Sequence, residues 1–165
     1  MRHLRFLLNH VGLSISLGLA AAILFNLAFP GGPFPWVAWI SMLPIMIVLE
    51  KGKSPWIVCL GWSAYGIFFW LGAVYWLYFF MKFVLYFNLW ITISLLFICI
   101  LISAVPYIVV GYLASKFSLF KGKWGALKLA ALLTAFVRLW PVPFPGDLSM
   151  SFYRIPIFTQ IADIG

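Results

Sequence analysis

Long apolar runs recur along the whole chain and constrain its fold more than any other feature. They cover about 11–27, 36–49, 56–80, 87–114 and 124–140, and each is apolar at nearly every position. A helix of about 20 apolar residues crosses the hydrocarbon core of a bilayer and satisfies its own backbone hydrogen bonds there. The sequence therefore predicts an all-α, multi-pass transmembrane bundle of about five helices.

Two other kinds of fold fit this pattern poorly. A membrane β-barrel would alternate lipid-facing and polar residues along each strand, which these runs do not do. A water-soluble domain has about a quarter of its residues charged, whereas only 8% are charged here and 65% are hydrophobic. The runs also continue well past the front of the chain, so they are not a single signal peptide.

The basic residues indicate the orientation of the bundle. With a cytoplasmic N-terminus, most of the 11 Lys and Arg residues fall in cytoplasmic segments. The periplasmic segments then hold only Lys82, Arg138 and Arg154. Because cytoplasmic loops carry an excess of Lys and Arg, we predict an inner-membrane protein with the segment 141–165 on the periplasmic side. The net charge of +8 is scattered between apolar runs, so nucleic-acid binding is not expected.

Residues able to carry catalysis are few and scattered. The acids are Glu50, Asp147 and Asp163, and the histidines are His3 and His10 near the N-terminus. No nucleophile has a base near it in the sequence, no cluster has metal-ligand spacing, and no glycine-rich phosphate loop precedes a helix. We therefore expect no catalytic residue, no metal site and no cofactor in this chain.

Two groups of residues are candidates for contact with a lipid headgroup or a substrate. Tyr75, Trp76 and Tyr78 form a dense aromatic cluster near the outer end of the third run, for which an interfacial belt is the alternative explanation. Arg138 lies near the end of the fifth run. Its guanidinium suits a phospholipid headgroup, and simple snorkelling to the interface is the alternative.

Asp147 and Arg154 follow Arg138 on the same predicted side of the membrane. They are candidates for ion pairs there, or for lining the approach to a site in an adjoining domain.

Several short motifs occur in one order along the chain. They are Leu-Ala-Phe-Pro at 27–30 followed by Trp36, Gly-Trp at 61–62, Tyr-Trp-Leu-Tyr at 75–78, Arg138 at the end of the fifth run, Pro-Phe-Pro-Gly at 143–146, and Gln-Ile-Ala-Asp-Ile-Gly at 160–165. Together they resemble the membrane part of the apolipoprotein N-acyltransferase family. Two positions depart from the family's pattern. Ala135 stands where Glu is usual, which removes a partner for Arg138, and Gly146 stands where Trp is usual.

The resemblance implies a role in lipoprotein maturation. The family transfers an acyl chain from a membrane phospholipid to the amino group of a diacylglyceryl-cysteine, through a cysteine thioester. That cysteine, with a Glu and a Lys, belongs to a periplasmic nitrilase-like domain, and Cys59 and Cys99 match no such nucleophile. We therefore expect the membrane-embedded part of such an enzyme, inactive alone. It would meet the phospholipid acyl donor and reach the diacylglyceryl lipoprotein through a missing or separate catalytic domain.

A small membrane transport or binding subunit is the alternative function. Such proteins usually bury polar or ionisable groups at mid-membrane depth to mark a substrate path. Polar groups within these runs are sparse, since Asn26 lies near an end and Thr92, Ser94 and Ser103 can bond back to their own helix.

Overall fold

The computed structural model describes residues 2–28 and 34–141, with side chains for 10–28 and 34–141. Within these ranges the chain is helical or turning and contains no strand, so the predicted all-α bundle is confirmed. The helices are α1 (Arg2–Ala28), α2 (Ala38–Ser41), α3 (Leu43–Lys51), α4 (Pro55–Ala73), α5 (Tyr75–Phe79), α6 (Leu89–Lys116) and α7 (Gly125–Leu139). A 3₁₀ turn at Pro35–Val37 precedes α2, and a π-helical turn at Phe80–Val84 follows α5.

Three helices of the described part are long and apolar enough to cross a membrane. They are α1 over His10–Ala28, α4 and α6. Helix α3 has 9 residues and α7 has 15, and 15 residues extend about 22 Å at the helical rise. The structure thus supports three spans, and the second and fifth predicted crossings stay predictions.

Two of the predicted runs are divided in the structure. The run 36–49 is interrupted at Met42, because Pro44 at the start of α3 has no N–H to continue the helical ladder. The run 56–80 is interrupted at Val74, whose φ of −101° and ψ of 7° depart from helical values. The other predicted runs, 11–27, 87–114 and 124–140, correspond to α1, α6 and α7.

Helices α1 and α4 run parallel. The Oγ of Ser14 donates a hydrogen bond of 2.7 Å to the carbonyl oxygen of Ile57. Further along both helices, the side-chain amide of Asn26 donates to the carbonyl oxygen of Phe68 at 3.1 Å. Since the residue numbers rise together on the two helices, both start at the same end of the bundle.

Glycines allow α1 and α4 to approach each other closely. A Cβ on Gly18 would collide with the carbonyl oxygen of Gly61 and would lie 3.2 Å from the backbone nitrogen of Tyr65. Packing of small residues drives helix association in lipid, where the hydrophobic effect between helices is absent. This crossing therefore fixes the position of α1 on α4.

Helix α6 packs against α4 in the opposite direction. Trp62 of α4 lies against Gly111, and Gly66 lies against Ala104. An aromatic core fills this contact and reaches α1. The ring of Tyr65 is 5.3 Å from that of Tyr107, centroid to centroid.

The hydrogen bond that a proline removes from α6 is replaced by the residue that follows α7. Pro106 has no N–H, so the carbonyl oxygen of Ile102, four residues earlier, loses its helical donor. The indole Nε1–H of Trp140 donates to this same oxygen at 2.8 Å. Neighbouring helices satisfy carbonyls freed by proline in this way in membrane proteins. The end of α7 is thereby held beside the midpoint of α6.

Six of the seven lysines lie at one end of the bundle. The ring of Trp56, at the start of α4, lies 5.5 Å from that of Tyr112, near the end of α6. The loop before α4 and the loop after α6 therefore lie at the same end of the bundle. We call it the lysine end, after its lysines Lys51, Lys53, Lys116, Lys121, Lys123 and Lys128. The grouping is the one that the predicted topology requires. Which side of the membrane the lysine end faces stays a prediction.

Candidate lipid-binding groove

A distorted helical segment forms the end of the bundle opposite the lysine end. Helix α5 continues from α4 after the break at Val74 and passes into the π-helical turn Phe80–Val84. The backbone then reverses at Tyr86, where φ is +54°. The side-chain oxygen of Asn88 accepts from the N–H of Ile91 at 2.8 Å and caps the start of α6. Between the end of α4 and the start of α6, this segment leaves a gap beside α6.

This gap is an apolar groove of about 400 Å³. One wall comes from α4 and α5, and consists of Leu71, Val74, Tyr75, Tyr78 and Phe79. The other wall comes from α6, and consists of Ile93, Leu96, Phe97 and Ile100. Ligand pockets of this size are mostly apolar with a few polar groups that orient the ligand. Here the polar groups of the lining side chains are the hydroxyls of Tyr75 and Tyr78.

The predicted aromatic cluster falls partly in this groove. Tyr75 is 66% exposed and Tyr78 is half-buried, and both line it. Trp76 does not line it. Its ring lies 6.5 Å from that of Phe80, and it is 45% exposed. The structure therefore separates Trp76 from the two tyrosines of the predicted contact set.

Arg138 lies in the last turn of α7 and is exposed. Two residues later, Trp140 bonds to the midpoint of α6, so Arg138 lies near mid-helix depth rather than level with the tyrosines. It is not among the groove's lining residues. Asp147 and Arg154 lie outside the described residues, and their predicted roles stay predictions.

The α6 wall of the groove was not predicted. Its members are spaced by three or four residues, which places them on one helical face. A stripe of this kind is normally visible in a sequence as apolar residues among polar ones. In α6 the flanking residues are apolar as well, so no signal distinguishes the groove face from the face that contacts lipid.

The two cysteines lie within helices of membrane-spanning length. Cys59 is half-buried on α4, near the lysine end, and Cys99 is buried on α6. Both are free thiols. Across the described ranges, no group of three or more His, Cys, Asp or Glu residues could hold a metal ion.

Comparison with known proteins identifies a family. The family model of the apolipoprotein N-acyltransferase N-terminal domain matches residues 21–165. The chain belongs to the apolipoprotein N-acyltransferase family. The groove-forming helices α4, α5 and α6 all lie in the part that matches the acyltransferase domain. No curated protein and no solved structure matches the chain.

Family membership and three membrane-length helices together make this acyltransferase relative a membrane protein. The matched region is the N-terminal domain of the family, and no comparison shows the catalytic domain in this chain.

Proposed function

We propose that this chain is the membrane-embedded part of an inner-membrane apolipoprotein N-acyltransferase, in which the groove beside α6 holds an acyl chain of the phospholipid donor. The observation that carries the proposal is the apolar groove of about 400 Å³, open beside helices of membrane-spanning length. Such a groove excludes water and suits a hydrocarbon chain more than a polar solute. The family transfers acyl chains, so the groove and the family point to one ligand class.

The polar groups around the groove suit the headgroup of that lipid. The hydroxyls of Tyr75 and Tyr78 can donate to ester or phosphate oxygens. Lys82 lies half-buried in the π-helical turn that follows α5 and supplies a cation in the same segment. A phospholipid with its chain between α5 and α6 would meet these donors at the bilayer surface.

The acyl-transfer step itself is assigned to a separate catalytic domain. A thioester nucleophile needs a base within hydrogen-bond reach and donors for the oxyanion. Neighbours of Cys59 and Cys99 in the sequence are apolar or hydroxyl-bearing residues. We therefore propose that the chain binds the donor lipid and presents it, together with the diacylglyceryl lipoprotein, to a catalytic domain.

Buried polar groups favour this role over transport. Among residues with described side chains, no Asp, Glu, Lys, Arg or His is buried, and the buried hydroxyl residues of Ser and Thr are Ser14, Ser41, Thr92 and Ser103. Ser14, Ser41 and Thr92 each donate to a backbone carbonyl. A substrate path through the bundle usually needs ionisable groups at mid-membrane depth.

Cross-linking with a phospholipid that carries a photoreactive group in its acyl chain tests the groove. Adducts on the purified, reconstituted chain should concentrate on α5 and on the Ile93–Ile100 face of α6, and an unlabelled phospholipid should compete for them. Leu96→Trp fills the groove with a larger side chain and should reduce these adducts several-fold.

Leu101→Trp is the matched control, because Leu101 is 42% exposed on α6 and does not line the groove. It should leave the adducts unchanged. Adducts spread evenly over the lipid-facing surface, or equal effects of the two substitutions, would refute the groove assignment.

Two further measurements test the remaining parts of the proposal. Reporter fusions after Glu50 and after Lys121 should be cytoplasmic, and one after Tyr86 should be periplasmic; the reverse pattern would place the groove in the wrong leaflet. The chain alone, mixed with phospholipid and a diacylglyceryl-cysteine peptide, should leave the peptide mass unchanged. A gain of one acyl chain would make the chain an enzyme by itself.

A further inference from the structure

The lysine end carries a large excess of positive charge. Six lysines lie there, and Glu50 is the one acid among the residues that the structure describes. An exposed, basic surface at headgroup level attracts anionic lipids. Contacts within the structure bring some of these lysines together on one ordered surface.

Lys116 is held by aromatic rings at the end of α6. Its Nζ lies 5.6 Å from the ring centre of Tyr112 and 5.9 Å from that of Phe117. The ring of Trp56, from the start of α4, packs against the ring of Tyr112 at 5.5 Å, centroid to centroid. Cation–π contacts at such distances hold an ammonium group in place, so Lys116 belongs to a formed cluster between two helices.

The turn from α6 to α7 is also ordered by its own hydrogen bonds. The N–H of Leu119 donates to the carbonyl oxygen of Ala114 at 2.9 Å, and the N–H of Ser118 donates to that of Ser115 at 3.1 Å. This is a Schellman arrangement, with Ser118 in the left-handed region at φ +50°.

The same turn presents two more lysines. The N–H of Lys121 donates to the carbonyl oxygen of Ser118 at 3.0 Å. The Nζ of Lys123 lies 5.8 Å from the ring centre of Trp124. Three lysines are thus carried by one hydrogen-bonded turn and by the helix end before it.

Exposed aromatic rings lie beside these lysines in the sequence and at the start of α4. Trp56 is 71% exposed, Phe117 is 63% exposed and Trp124 is 60% exposed. Rings of this kind at the ends of membrane helices lie at headgroup depth. An ammonium group at that depth has three donors, and its ring contacts leave donors for phosphate oxygens.

We propose that the α6–α7 turn and the start of α4 form a binding surface for the headgroups of anionic phospholipids in the leaflet at the lysine end. The surface comprises Trp56, Lys116, Phe117, Lys121, Lys123 and Trp124. It lies at the opposite end of the bundle from the acyl groove, and it does not rest on the proposed function. Orientation during membrane insertion requires only an excess of positive charge in a loop. This surface also has ring contacts and an ordered turn, which orientation does not require.

Lipid binding to the folded, purified chain tests the proposal. Phosphatidylglycerol or phosphatidylcholine is added to the protein in a neutral detergent, and bound lipid is counted by native mass spectrometry. Phosphatidylglycerol should bind more tightly and should dissociate at high salt, because exposed charges are screened. Removing the three lysines together, as Lys116→Gln, Lys121→Gln and Lys123→Gln, should weaken its binding roughly 100-fold.

Single substitutions provide the matched control. Lys116→Gln should weaken phosphatidylglycerol binding roughly fivefold, whereas Lys51→Gln removes the same charge at the lysine end but outside the surface and should weaken binding far less. Should the triple glutamine variant fail to fold, the triple arginine variant keeps the charge and should bind like the wild type. Trp124→Ala keeps all the lysines and should weaken binding.

Three outcomes would overturn the proposal. They are equal binding of the two lipids, equal losses from Lys116→Gln and Lys51→Gln, and wild-type binding by the triple glutamine variant. Glycerol phosphate is the probe for a free anion. If it competes fully with phosphatidylglycerol at equal concentration, the surface recognises soluble phosphate and not a lipid.

Discussion

The hydrogen bond between Trp140 and Ile102 permits a quantitative test of how the bundle tolerates a proline. Trp140→Phe keeps an aromatic ring but removes the indole donor, and it leaves the Ile102 carbonyl oxygen without a partner, because Pro106 cannot supply one. A carbonyl oxygen left without a donor in a membrane helix costs about 1–3 kcal/mol, because lipid supplies no donor to replace the lost one. We expect a loss of unfolding free energy in this range, measured by titrating the protein in mixed micelles with denaturing detergent.

A double-mutant cycle isolates the hydrogen bond from the packing of the ring. In a Pro106→Ala background, the new N–H of residue 106 can donate to the Ile102 carbonyl oxygen. Trp140→Phe should then cost less than in the wild type by about 1 kcal/mol or more. Equal costs in the two backgrounds would show that the indole donor does not replace the missing amide, and would refute the reasoning.

Four further predictions concern two glycines of α1, a turn residue and the cysteines. Gly18→Ala should lower the free energy of unfolding by about 1–3 kcal/mol, since its Cβ meets backbone atoms of α4. Gly12→Ala, which has no atom within 4 Å, should raise it by about 0.5–1 kcal/mol in the same titration. Ser118→Gly should raise it by about 1 kcal/mol, because glycine adopts a positive φ without strain; no change would mean that the turn differs in solution. No hydroxylamine-sensitive acyl adduct should form on Cys59 or Cys99 when phospholipid is added, and detecting one by mass spectrometry would contradict the assignment of catalysis to another domain.

The helical class and the positions of the main helices could be predicted from hydropathy, because a long apolar run in lipid must satisfy its backbone hydrogen bonds within a helix. The interruptions were harder to foresee. Pro44 breaks the second run, whereas Pro106 leaves α6 continuous. The sequence gives no reason for this difference, since Trp140, which supplies the missing hydrogen bond, lies 38 residues away from its acceptor.

The candidate site was predictable only in part. Tyr75 and Tyr78 stand out in the sequence as a dense aromatic pair, and both line the groove. The leucine and isoleucine residues of the α6 wall could not be identified, since which face of an all-apolar helix meets another helix depends on tertiary packing. Family membership was predictable for a different reason. Its motifs occur in one order along most of the chain, and the order can be read without knowing how the helices pack.

The parallel pairing of α1 with α4 has a consequence for the order of events during synthesis. Ser14 and Asn26 bond to carbonyl oxygens that lie 43 and 42 residues further along the chain. At the usual rate of translation, those acceptors emerge roughly 2–9 s after the donors. Helix α1 is therefore synthesised before the α4 acceptors of Ser14 and Asn26 exist. A ribosome that stalls before α4 would leave an inserted helix whose small-residue face is open to any other helix nearby.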